Sequence, residues 1–140
     1  MILVNDFERA EGLLKDHLPG SQFDSFRVYS IALLIDFYPK YQLSSSGKVS
    51  VFDGSFSRSS RRETISMLYD FIGLDVSDVK IKKTGDLEIY FGEKMISISE
   101  DDENFEEIWT ISSDDPSIPN NSKWSLSLIE KEGLNLYLPE

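Results

Sequence analysis

Residues 84–99 read Thr-Gly-Asp-Leu-Glu-Ile-Tyr-Phe-Gly-Glu-Lys-Met-Ile-Ser-Ile-Ser, and this stretch decides the fold class. Leu87, Ile89 and Phe91 alternate with Glu88 and Tyr90, and Ile96 and Ile98 alternate with Ser97 and Ser99. A period of two places the apolar residues on one face of a half-buried strand. Gly92-Glu93 is too short a link for a crossover, so the two strands pair antiparallel. Thr84-Gly85-Asp86 makes a second turn, back to a strand over 76–82.

The same pattern extends outward. Strands are expected over 25–37, 48–52, 107–112, 124–128 and 134–138. The stretch 25–37 reads as one long strand, with Tyr29, Ile31, Leu33, Ile35 and Phe37 on one face. Ser44-Ser45-Ser46-Gly47 reads as a turn joining it to 48–52 as a hairpin. Two segments show helical spacing instead. Residues 5–18 carry Phe7, Ala10, Leu13, Leu14 and Leu18, with Asn5 or Asp6 as cap and Pro19-Gly20 as stop. Residues 61–72 carry Ile65, Leu68, Tyr69 and Ile72, with Ser59 or Ser60 as cap, Glu63 in the first turn and Gly73 as stop. The expected architecture is one α+β domain over 1–140. It holds a mainly antiparallel sheet of about eight strands, with two helices packed on it.

The chain has 140 residues and no cysteine, which excludes disulfides, thiol nucleophiles and Cys-ligated zinc. Nine Phe, six Tyr and two Trp supply material for a core. Met1–Val4 is apolar but stops at Asn5-Asp6, short of a secretory signal, and no run reaches membrane-helix length. The expected location is the cytoplasm. The 25 acids outnumber 14 bases, for a formal net charge of −11. Such a field repels nucleic acid and anionic membranes and attracts basic partners.

Catalytic and metal patterns are weak. His17 is the only histidine and falls near a helix end, where it complements the helix dipole. Ser46-Gly47-Lys48 lacks the spacing of a phosphate loop, and no Gly-x-Ser-x-Gly elbow occurs. No cofactor, metal or catalytic residue is expected. Arg58, Arg61 and Arg62, set among Ser55, Ser57, Ser59 and Ser60, form a local basic patch. Lys80, Lys82 and Lys83 sit on or beside a strand and can guard a sheet edge.

The densest feature is acidic. Glu100, Asp101, Asp102, Glu103, Glu106 and Glu107 put six carboxylates into eight residues, and Asp114 and Asp115 follow one strand later. The central Gly and alternating ligands of a calcium loop are missing. A docking surface for Lys and Arg needs only dense, exposed acids. Phe105, Ile108 and Trp109 interleave with them. They are either aromatic and apolar anchors in a charged rim or core residues of the strand. The expected partner site comprises Glu100–Glu103, Phe105, Glu106, Glu107, Asp114 and Asp115. Oligomeric state is not legible here.

Three blocks together resemble the bacterial immunity-type proteins found beside polymorphic and contact-dependent growth-inhibition toxins. They are the Phe26–Phe37 strand with its Ser/Gly loop, the helix Glu63–Gly73 ending Leu-Tyr-Asp-Phe-Ile-Gly, and Gly85–Phe91 followed by Glu106-Glu107-Ile108-Trp109. The N-terminal helix and residues 113–140 lie outside the resemblance. It implies that the chain neutralises a cognate toxin, often a basic nuclease, and it carries over no catalytic residues. Size, acidity and α+β character also resemble acidic secretion chaperones, which bind an extended effector segment. A third expectation, an enzyme or small-ligand protein, requires a deep pocket with convergent polar groups.

Overall fold

The computed structural model describes residues 2–4, 7–29, 32–53, 57–58, 61–99, 107–113, 125–129 and 133–137. In chain order the elements are β1 (Ile2–Val4), α1 (Phe7–His17), β2 (Gln22–Val28), β3 (Leu33–Tyr38), β4 (Tyr41–Ser45), β5 (Lys48–Phe52), β6 (Ser57–Arg58) and α2 (Arg61–Leu68). A 3₁₀ turn (Tyr69–Phe71) extends α2. Then come β7 (Asp78–Ile81), β8 (Leu87–Phe91), β9 (Lys94–Ser99), β10 (Glu107–Ser113), β11 (Ser125–Ile129) and β12 (Gly133–Tyr137).

The α+β, mainly antiparallel class expected from the alternation is the one observed. The strands, however, form two sheets. One has seven strands in the order β1-β12-β11-β10-β4-β3-β2, and the other has five in the order β6-β5-β9-β8-β7. The hairpin that opened the sequence reading is β8–β9, in register from Leu87↔Ile98 to Phe91↔Lys94. Leu87, Ile89, Ile96 and Ile98 are fully buried from its inner face.

The two sheets share one apolar core. Phe23 (β2), Phe37 (β3), Phe71 (the 3₁₀ turn) and Phe91 (β8) meet there, with centroids 5.2–6.4 Å apart. Phe23–Phe37, Phe23–Phe91 and Phe71–Phe91 meet edge to face and Phe37–Phe91 stacks, and such aromatic pairs add to plain burial. Helix α1 lies along β7 and buries Ala10 and Leu14, while Leu18 is buried just past its end and Phe7 and Leu13 pack against the core, as the spacing predicts.

Four expectations need correction. The stretch 25–37 is not one strand, because the chain reverses and β2 pairs with β3. Tyr29 N–H donates to the Ala32 carbonyl at 2.8 Å to close the reversal. Nothing in Tyr-Ser-Ile-Ala carries the Gly, Pro or Asn that usually marks a turn. The hairpin expected between that stretch and 48–52 does not form. Tyr41–Ser45, read partly as a turn, is instead strand β4, and β5 belongs to the other sheet. Residues 46–47 make the step between sheets. In the second helix, Tyr69 and Ile72 are exposed, and Thr64, Leu68 and Phe71 take the buried side. The 3₁₀ winding after Leu68 shifts the periodicity there. The strand count exceeds eight, chiefly because β1, β4 and β6 are short or polar. The expected caps Asn5, Asp6, Ser59 and Ser60 lie outside the described residues.

Candidate functional site

β10 organises the acidic region. It is the middle strand of the seven-stranded sheet, with β4 on one side and β11 on the other. Ile108 and Trp109 are both buried, so neither is an exposed anchor. The reading of these two as core residues is the one observed. The Trp109 indole N–H donates to the Gly85 carbonyl at 3.0 Å, which ties β10 to the β7–β8 turn of the other sheet. At the start of the strand, the Ile108 carbonyl accepts from both Ser46 N–H (3.0 Å) and Gly47 N–H (3.1 Å).

Of the expected acidic site, Glu107 opens β10 and pairs with Ile129. Glu100, Asp101, Asp102, Glu103, Phe105, Glu106, Asp114 and Asp115 lie outside the described residues. The 100–106 segment joins β10 at Glu107, and Asp114 follows its last residue, Ser113. The strand has seven residues, so these attachment points are about 20 Å apart. Both attachment points therefore belong to the ends of one central strand.

The remaining candidates lie on or beside regular elements. His17 ends α1, and its Nδ1 lies 3.1 Å from the Tyr41 hydroxyl, joining the helix to β4. Arg58 pairs with Val51 in β6, and Arg61 and Arg62 open α2. Lys80 lies over the Tyr90 ring at 5.3 Å, and Lys82 approaches the largely buried Glu88 at 3.6 Å. Burial raises the Tyr90 phenol above its ordinary pKa, and the neighbouring Glu88 carboxylate adds to the effect. β7 is an edge strand, as expected for these lysines, but α1 closes that edge. Glu11 accepts from Ile81 N–H at 2.9 Å, and Lys15 bonds Asp78 at 3.0 Å. That contact holds the Asp78 carboxyl below its usual range.

The outer face of the seven-stranded sheet is polar and mostly uncharged. Thr110 lies between Ser44 and Ser127, and Ser112 between Gln42 and Ser125. Gln42, Ser44, Ser46, Thr110 and Ser112 line a depression of about 320 Å³. A second, of about 400 Å³, is bordered by Asp24, Arg27, Asp36, Tyr38, Lys40 and Gln42. Between them, Asp36 accepts from Gln42 Nε2 (2.9 Å) and Ser25 Oγ (3.2 Å), with Arg27 at 3.6 Å. This carboxylate ties β2, β3 and β4 together. Both depressions are open to solvent, unlike the deep pocket a small-ligand site requires.

Among the described residues no group of His, Cys, Asp and Glu side chains is arranged to hold a metal ion. No described helix is long and apolar enough to cross a membrane. In comparisons with known proteins, the chain matches no family model, no curated protein and no solved structure.

Proposed function

We propose that this chain is an immunity-type protein that binds and neutralises a cognate bacterial toxin domain, a basic nuclease, through an acidic surface. The observation that carries the reading is the six carboxylates of Glu100–Glu107 joined to a strand in the middle of the larger sheet. A nuclease grips phosphate, so its active face is basic. An acidic protein covering that face replaces the nucleic acid charge for charge and is steered toward it. Anchorage of β10 by Ile108 and Trp109 limits how much backbone must be ordered on binding, which favours affinity. Neutralisation by occlusion requires no chemistry from the inhibitor.

Affinity capture from the native cytoplasm, with mass spectrometry of the bound protein, tests this. The expected capture is the C-terminal domain of a large secreted protein, with nuclease activity that falls to background at equimolar inhibitor. Capture of a secreted effector through its N-terminal segment would replace the reading with that of a secretion chaperone.

A further inference from the structure

One sheet edge is closed by another part of the chain, and a second is closed over only half its length. Helix α1 covers the edge of β7 through Glu11 and Lys15. Residues 73–76 cover the first half of β2: Gly73 N–H donates to the Phe23 carbonyl, Phe23 N–H to Leu74, and Val76 N–H to Ser21, all within 2.9 Å. The cover ends there. A β-bulge follows between Phe23 and Ser25, and it lets Asp24 and Ser25 both face the outer side of the sheet.

Beyond the bulge the ladder alternates. Tyr29 bonds Ala32 across the turn, so Arg27 and Ser25 exchange hydrogen bonds with β3 while Val28 and Phe26 point their main-chain groups away from it. β2 ends its sheet, and no described residue bonds those outward groups. An unpaired edge of this kind is a template for another strand.

The side chains beside it are apolar. Phe26 packs edge-to-face on Tyr69 at 5.1 Å. Tyr69 is 66% exposed, Ile72 46% and Val28 44%. Three carboxylates rim the strip. Asp24 is on β2 itself, Asp70 lies between Tyr69 and Phe71, and Asp75 bridges to Gln22 through its main chain. All three are exposed and unpaired among the described residues. A second copy of the chain fits poorly. Two copies each carry a formal net charge of −11 and repel one another, whereas a basic segment is drawn to the chain.

We propose that the β2 edge from Phe26 to Val28 is a strand-addition site for an extended partner segment in which apolar and basic residues alternate. Its main chain bonds the outward groups of Phe26 and Val28. Its apolar residues cover Tyr69, Ile72 and Val28, and its cations meet the carboxylate rim. The site rests on the β2 edge alone and not on the acidic segment of β10.

A short fluorescein-labelled peptide alternating Val and Lys is the probe, read by fluorescence anisotropy. Val28→Pro removes only an outward N–H, a position where an edge strand accepts proline. It should leave the circular dichroism and melting temperature near wild type and weaken binding by at least about tenfold. Peptide N-methylated at alternate residues should bind in one phase and fail in the other, which side-chain docking alone would not produce. Hydrogen exchange at Phe26 and Val28 amides should slow with peptide. Equal binding of a Ser/Lys peptide of the same charge would overturn the proposal. So would no binding, or binding unaffected by both Val28→Pro and N-methylation. A peptide-free dimer that Val28→Pro dissociates would also overturn it, by assigning the edge to a second copy. None of these outcomes bears on whether Glu100–Glu103 steer a toxin.

Discussion

Substituting Gly47 by alanine should be among the most damaging single changes in this fold, although it adds one methyl group. Gly47 is the step between the two sheets, and no positive φ is involved there. The constraint is space. A Cβ at this position would overlap the Ser99 carbonyl oxygen and stand 2.8 Å from Ile108 Cγ2. A methyl against a flexible side chain can be accommodated, but a carbonyl in a strand cannot move without its ladder. Overpacking of this kind costs about 1–3 kcal/mol. The shift also strains the bonds from Ser46 and Gly47 N–H to the Ile108 carbonyl, at about 1 kcal/mol each. The expected loss is about 3–5 kcal/mol, a large part of the roughly 5–15 kcal/mol that holds a typical domain. Urea unfolding followed by tryptophan fluorescence should show a midpoint lower by about 1–2 M. Gly12→Ala is the matched control. Nothing lies within 4 Å of a Cβ there, inside α1, so the same substitution should stabilise by roughly 0.5–1 kcal/mol. A Gly47→Ala midpoint equal to wild type would refute the close approach of the β4–β5 step to β9 and β10.

Three further outcomes are expected. Trp109→Phe keeps an aromatic ring but leaves the Gly85 carbonyl without its donor, and should cost about 1–3 kcal/mol in the same urea experiment. Lys15→Met removes the partner that lowers the Asp78 pKa. A depressed carboxylate contributes stability above its unfolded value of about 4, and that contribution is lost as pH falls through the folded value. The variant should therefore be less stable at neutral pH, by no more than about 0.5–1 kcal/mol because the pair is exposed. The two proteins should converge in acid, as seen in melting temperature against pH. Reversing Glu100, Asp101, Asp102 and Glu103 to Lys should slow association with the captured toxin by about tenfold or more at low salt, and less at high salt. Stopped-flow rates unchanged at low salt would remove the steering role.

The β8–β9 hairpin was legible because each strand alternates cleanly and the link carries Gly92. Helix α1 was legible for the corresponding reason at helical spacing. Tertiary context decided the rest. β4 is Tyr-Gln-Leu-Ser-Ser, whose serines read as loop, yet Tyr41, Leu43 and Ser45 alternate inward once β3 and β10 flank them. The stretch 29–32 has no Gly, Pro or Asn, so two strands read as one. The bulge at Asp24 depends on register against β3, which a single strand's sequence does not contain. The acidic stretch itself was plain in the sequence. That Ile108 and Trp109 beside it face the core needed the second sheet, because only that sheet supplies the Gly85 carbonyl for the indole.

The charge excess and the open edge make different demands on a partner. With 25 acids and 14 bases, 25 − 14 = 11 carboxylates have no base of their own in the chain under one-to-one pairing. Unneutralised charge of one sign destabilises a compact state by self-repulsion, so the excess is not explained by stability. A basic partner relieves that repulsion, and the relief acts at long range on encounter. The β2 edge acts only at contact, through main-chain bonds and about three apolar side chains, and so governs dissociation. If both surfaces meet the same protein, charge reversal at 100–103 changes the association rate and Val28→Pro the dissociation rate, and the two effects multiply. If they meet different proteins, each variant leaves the other's partner untouched.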